Sequence, residues 1–148
     1  MPVIKLQVPG ELSYRELATR TVALACKLAT THAGDLDTER GTQFSHELVS
    51  AVGEAFNNTA IHSYNGLEPG DVTINISFDR ERVQVEVCDT GHSFDLAKVK
   101  VPDLGALPES GMGLYIIRSF VDHLDYEGGT PNVLKMTKYL AEQPPRVA

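Results

Sequence analysis

The sequence is short of positive charge, cysteine and long apolar runs, and each shortage removes a class of function. Thirteen lysines and arginines stand against 20 aspartates and glutamates, a formal net charge of −7. Nucleic-acid binders gather Lys and Arg on one face, and here the densest basic clusters are pairs such as Lys98 and Lys100. Direct nucleic-acid binding is therefore not expected, and the acidity suits solubility or a partner with a basic docking surface. Only two cysteines are present, Cys26 and Cys88, both in apolar stretches and neither within a metal-ligand spacing. They read as buried free thiols of a reducing compartment. No apolar run approaches the roughly 18 residues that signal a membrane span. The opening Met-Pro-Val-Ile-Lys lacks the charged region and apolar core of a signal peptide. A cytoplasmic location with no membrane partner is expected.

What is present is a chain of 148 residues that is 42% hydrophobic, the size of one ordinary domain able to bury its own core. A single domain over 1–148 is expected, with 141–148, including Pro144-Pro145, as a frayed tail. Ile4, Leu6 and Val8 alternate with Lys5 and Gln7, which predicts a strand broken by Pro9-Gly10. Ser13 and Glu16 have the spacing of a capping box. Leu17, Thr21, Leu24 and Leu28 then recur at helical spacing, predicting a helix over 13–31. Its small and apolar residues between Thr19 and Ala29 do not separate core from an interface.

A second helix starts near Asp37 or Thr38, carries the stripe Phe44, Leu48, Val52, Ala55 and Thr59, and runs to about Tyr64 before Asn65-Gly66. Alternation over 72–78 and 83–87, joined by Asp79-Arg80-Glu81-Arg82, predicts a hairpin. Residues 96–110 hold Pro102, Gly105 and Pro108 without a period, a loop of the length reserved for lids and binding segments. A third helix from about Gly113 would use Leu114, Ile117, Val121 and Leu124 as its inner face. Strands over 123–127 and 132–139 flank Gly128-Gly129. The pattern predicts an α+β fold, a two-layer sandwich with helices on one face of a mixed, mostly antiparallel sheet.

Three segments carry candidate chemistry. On the second helix, Glu54, Asn58 and His62 are spaced i, i+4, i+8 on the shoulder of the apolar stripe. An asparagine oxygen suits Mg²⁺, a hard cation that keeps several waters. A glutamate there can orient or deprotonate a hydroxyl. In Asp89-Thr90-Gly91, strand parity turns Asp89 toward the core, where a carboxylate needs a hydrogen-bond donor. An adenine amino group is one candidate donor, and the backbone N–H groups of a turn are the other. Gly91 would admit a flat ring against the backbone. Gly111-Met-Gly113-Leu114 precedes a helix, whose N-terminus can cradle an anion, although such a pair also serves as a plain loop-to-helix junction.

These three segments, in this order, resemble the nucleotide-binding motifs of the GHKL ATPase superfamily over roughly residues 44–139. Glu54-Ala55 leading to Asn58, Ala60 and His62 is similar to the serine kinases that act as anti-sigma factors. So are Phe94-Asp95 and the closing Asn132 to Tyr139. The resemblance implies ATP and Mg²⁺ as cofactors, with Asn58 as metal ligand and Glu54 as catalytic base. Asp89 would read adenine. Gly91, Phe94, Gly111, Gly113 and Leu114 would shape the pocket, and 96–110 would be the ATP lid. It further implies phosphorylation of a serine on a small STAS-type anti-anti-sigma partner, sequestration of a sigma factor, and a homodimer. Four features depart from the pattern. A second asparagine, Asn57, precedes Asn58, His92-Ser93 follow Gly91, Glu109 stands where sensor histidine kinases often have a glycine, and the lid has no arginine, Arg118 being the nearest. The alternatives are a sensor-kinase catalytic domain, an ATP-gated binding module without phosphotransfer, and a switch kinase without sigma-factor binding.

Overall fold

The computed structural model describes residues 3–34, 38–94 and 112–141. The expected lid at 96–110, Gly111, Asp95 and nearly all of the expected tail lie outside the described residues.

Strand β1 (Val3–Pro9) leads through a short 3-10 turn (Leu12–Tyr14) into helix α1 (Arg15–Ala33). Helix α2 (Thr38–Asn58) follows, then strands β2 (Asp71–Phe78) and β3 (Arg82–Asp89), helix α3 (Met112–Phe120), and strands β4 (His123–Glu127) and β5 (Asn132–Tyr139). The strands form one sheet in the order β1-β2-β3-β5-β4. All four described pairings are antiparallel, so the mixed character expected from the sequence is absent among the described residues.

Alternation in the strands decides which face is covered. Val72, Ile74, Ile76 and Phe78 of β2 and Val83, Val85 and Val87 of β3 are buried, and the helices pack over them. Across the other face one cross-strand row reads Lys5, Asn75, Glu86, Lys135 and Asp125. Opposite charges meet there across neighbouring strands, which supports the register by a few tenths of a kcal/mol per pair, about 0.2–1. The hairpin between β2 and β3 is closed by Asp79, whose Oδ1 accepts the Glu81 and Arg82 N–H groups at 2.8 and 3.0 Å, the Asx geometry that favours aspartate in turns.

Helix α2 supplies the centre of the core. Its expected stripe, Phe44, Leu48, Val52, Ala55 and Thr59, is buried along its whole length. Helix α1 is turned the other way from its largest residues. Ala18, Val22, Ala25, Cys26 and Ala29 face the core, while Leu17, Leu24 and Leu28 are 51%, 65% and 48% exposed. Small residues inside allow α1 to lie close against α2, which leaves no room for a leucine seam. The expected capping box is not formed. α1 starts at Arg15 with Tyr14 as its unbonded cap residue, and Glu16 pairs with Arg20 at 2.7 Å on the surface instead. Gly34, at φ 76°, ends the helix as a left-handed cap.

Helix α3 ends at Phe120, shorter than expected, so Leu124 belongs to β4 and not to the helix's inner face. Asp122 makes the break: its N–H donates to Thr137 O at 2.8 Å, and its Oδ2 accepts the Tyr139 N–H at 2.7 Å. Lys138 closes the helix end by donating to Phe120 O at 2.6 Å, and it pairs with Glu47 of α2 at 2.6 Å. Burial alone would raise the Glu47 carboxyl. Hydrogen bonds from Lys138 and Gln43, with the Lys138 charge, outweigh it and hold Glu47 below its ordinary 4.5. A depressed folded pKa contributes stability above the unfolded value and loses it as pH falls through the folded one. Glu47→Gln is therefore expected to destabilise the fold by about 2 kcal/mol at pH 7. Urea titrations across acid pH should show that deficit shrinking below about pH 4.5.

Both thiols are free. Burial is the main cause pushing Cys26 up to about 12, against a hydrogen bond from Ser45 and the Lys138 charge. Burial followed by the Glu86 and Asp89 charges raises Cys88. Neither is poised as a nucleophile.

Candidate functional site

The C-terminal end of α2 does not simply fray. After Asn58 the helix widens into a π turn over Thr59–Ser63, closed by Tyr64 N donating to Thr59 O at 3.3 Å. Such widened turns recur at functional sites because they re-aim the side chains around them. Gly66 then takes φ 75° and ends the segment, as Asn65-Gly66 suggests.

Glu54 and Asn58 sit one turn apart on the last part of α2, half-buried. The first turn of α3 lies against them. A Cβ at Gly113 would stand 3.2 Å from Glu54 Oε2 and 3.2 Å from Asn58 Oδ1. The structure thus brings two segments 55 residues apart in sequence (113 − 58) into contact, and the asparagine beside Gly113 is Asn58. Gly113 lies inside α3, whose first residue is Met112, so it keeps the space beside the carboxylate and amide open. Leu114 packs against the core. No hydrogen bond among the described residues engages the Glu54 carboxylate or the Asn58 amide. His62 is exposed on the π turn, and Arg118 is exposed on α3.

Asp89 ends β3 on the covered face, 6% exposed, as strand parity requires. Its Oδ1 accepts Gly91 N–H at 2.9 Å and Asn132 Nδ2 at 2.9 Å. The turn-capping role is therefore real. Its Oδ2 has one long contact, the Thr59 hydroxyl at 3.4 Å, which leaves capacity for a further donor. Thr59 is the residue after Asn58, so this contact also ties the Asp89 end of the site to the Asn58 end.

Gly91 meets a close backbone approach within the chain itself. A Cβ there would overlap the Ser63 carbonyl, because His92 N donates to Ser63 O at 2.6 Å and draws the turn onto the end of α2. Tyr64 fastens the same turn. Its hydroxyl accepts the Thr90 N–H at 3.0 Å and donates to Asp71 O at 2.8 Å. Phe94 stacks on Tyr126 of β4, ring centroids 4.0 Å apart, and is 36% exposed. The described contacts thus place Phe94 against β4 rather than against Glu54 or Asn58. Sequence reasoning missed Thr59 as a polar group, Tyr64, and Asn132, since each acts on residues far along the chain.

A family model described as "Histidine kinase-like ATPase domain" matches residues 14–138. The chain belongs to the histidine kinase-like ATPase family. Within it, the chain is 29% identical over 147 residues to the serine-protein kinase RsbW of Bacillus velezensis, covering 93% of this chain and 85% of that one. It is 31% identical over 112 residues to RsbW of Oceanobacillus iheyensis, 68% and 71% covered. It is 34% identical over 114 residues to RsbW of Listeria monocytogenes strain EGD-e, again 68% and 71% covered.

The residues of this histidine kinase-like ATPase domain fit a Mg²⁺-nucleotide. The open Asp89 Oδ2 matches an amine donor. The Asn58 oxygen, with no hydrogen bond among the described residues, would be a hard ligand beside a carboxylate. Among the described residues no group of three or more His, Cys, Asp or Glu side chains could hold a metal. A Mg²⁺ ion retained largely by water and phosphate oxygens suits such a donor set, whereas an all-protein cage does not. No described helix is long and apolar enough to cross a membrane.

Proposed function

We propose that this chain is an ATP-dependent serine protein kinase that acts as an anti-sigma factor. It would phosphorylate a small STAS-type anti-anti-sigma protein and sequester a sigma factor in the cytoplasm, working as a homodimer. The observation that carries the reading is the meeting of Glu54, Asn58 and Gly113, with Asp89 linked to that end of α2 through Thr59. The similarity to serine-protein kinases supports it.

Bound ATP, with Mg²⁺, supplies the phosphoryl group. Asp89 Oδ2 would accept the adenine 6-amino group, and Asn58 would give its oxygen to Mg²⁺. Gly113, with Gly111, would leave the backbone open at the start of α3, where unpaired N–H groups favour phosphate. Leu114 holds that turn on the core. Glu54 would accept the proton of the substrate serine hydroxyl, and no hydrogen bond among the described residues competes for its carboxylate. Gly91 keeps the Asp89 turn seated on α2, and Phe94 with Tyr126 holds the chain that leaves it.

Leu17, Thr21, Leu24 and Leu28 recur at alternating four- and three-residue steps, the period of a two-helix seam. Three exposed leucines on one stripe support a second copy of this chain as their cover. Leu24→Glu should convert a dimer to a monomer in sedimentation analysis while the chain stays folded by circular dichroism, its melting temperature losing any dependence on protein concentration. A dimer that survives the change excludes this face.

The reading is tested by incubating the protein with Mg²⁺-ATP and a STAS-type partner. Phosphoserine on the partner, and a stable complex with a sigma factor when the partner is withheld, are the expected results. ATP binding without phosphoserine on the partner would reduce the chain to an ATP-gated binding module.

A further inference from the structure

Asn132 is a fully buried polar side chain, with no exposed surface at all, at the first position of β5 opposite Asp89. Its amide orientation is unambiguous. Oδ1 faces two donors, the Gly129 N–H at 2.9 Å and the Ser93 hydroxyl. Nδ2 faces three acceptors: Asp89 Oδ1 at 2.9 Å, Gly91 O at 3.0 Å and His92 O at 3.3 Å. One side chain therefore ties the end of β3, the turn after it, and the turn between β4 and β5. Ser93 has its role here as an anchor for Asn132.

We infer that Asn132 is the positioning residue that makes Asp89 a one-sided reader of the base. It does so by occupying Asp89 Oδ1 and leaving Oδ2 as the only oxygen with free capacity. With Gly91 N–H and Asn132 Nδ2 both on Oδ1, the carboxylate is fixed in rotation, and its second oxygen faces Thr59 at the end of α2. A carboxylate held this way accepts from an amino group at position 6 of a purine and is mismatched with a carbonyl there. Losing the Asn132 donor frees the carboxylate to turn and divides its accepting capacity between two oxygens. The selectivity for the 6-amino group then falls. The inference rests on the assignment of Asp89 to adenine.

The test is a ligand cycle by calorimetry on the whole chain. ATP is compared with purine riboside triphosphate, which lacks any group at position 6, on the native protein and on Asn132→Ser. The native protein should prefer ATP, and in Asn132→Ser that preference should shrink by at least about fivefold. A residue that only supports the fold would weaken both ligands equally and keep the ratio, so an unchanged ratio overturns the inference. If Asn132→Ser does not fold, Ser93→Ala serves. It removes one anchor of the Asn132 amide without touching Asp89, and should narrow the ratio in the same direction by a smaller factor. An unchanged ratio there overturns the inference equally. A native protein with no preference for ATP would instead remove the Asp89 reading itself.

Discussion

Glu54→Gln is expected to leave nucleotide bound and to stop phosphotransfer. Glutamine keeps the size and half-buried position of the side chain but cannot take a proton. General-base catalysis is worth about 10²–10⁴ in rate, so transfer to a serine should fall by that factor. Because no hydrogen bond among the described residues engages the Glu54 carboxylate and glutamine has the same shape, the substitution keeps the packing against Gly113, and ATP affinity should stay within about twofold. Rapid-quench measurement of phosphoserine, alongside calorimetry with ATP, separates the two quantities. Full phosphotransfer by this variant would remove Glu54 from the chemistry. Equal loss of binding and transfer would assign it to holding the nucleotide.

Asp89→Asn has the second large effect, and its direction depends on which oxygen is replaced. The Gly91 N–H and Asn132 Nδ2 both need an acceptor, so the new amide turns its oxygen toward them. Its NH₂ group is forced to the other side, where Asp89 has its free Oδ2. A donor then meets the adenine amino group, itself a donor. ATP should bind at least about tenfold more weakly, a loss of about 1.4 kcal/mol or more. Inosine triphosphate has a carbonyl at the same position and should gain relative to ATP by more than about tenfold. Titration of the variant with both nucleotides measures this. A folded Asp89→Asn protein with unchanged preference contradicts the adenine contact.

How much of this was legible in the sequence varies with the range of the interactions. The stripe of α2 from Phe44 to Thr59 was readable because a central helix buries its large residues whatever its neighbours are. The hairpin was readable from strict alternation and from Asp79, whose partners are two and three residues away. Asp89 was readable by strand parity alone. Helix α1 misled, because the periodic leucines mark its exposed face and the core face is written in alanines, which a pattern of large residues overlooks. The capping box at Ser13 and Glu16 failed because the chain takes a 3-10 turn first. Leu124 fitted a helical period, but Asp122 spends its N–H and carboxylate on β5 and ends α3. Asn132 carried no local signal, since its partner Asp89 lies 43 residues away. Gly91 was legible as a glycine position, but its close approach to the Ser63 carbonyl was not, because Ser63 lies 28 residues earlier on the π turn.

The central claim is that Glu54, Asn58, Gly113 and Asp89 form one pocket for Mg²⁺-ATP. Calorimetric titration of the purified protein with ATP tests it most directly, run with and without Mg²⁺ and with GTP as control. The account predicts saturable binding of ATP that strengthens with Mg²⁺ and is weak for GTP. Absence of ATP binding, or equal binding of ATP and GTP regardless of Mg²⁺, would contradict it.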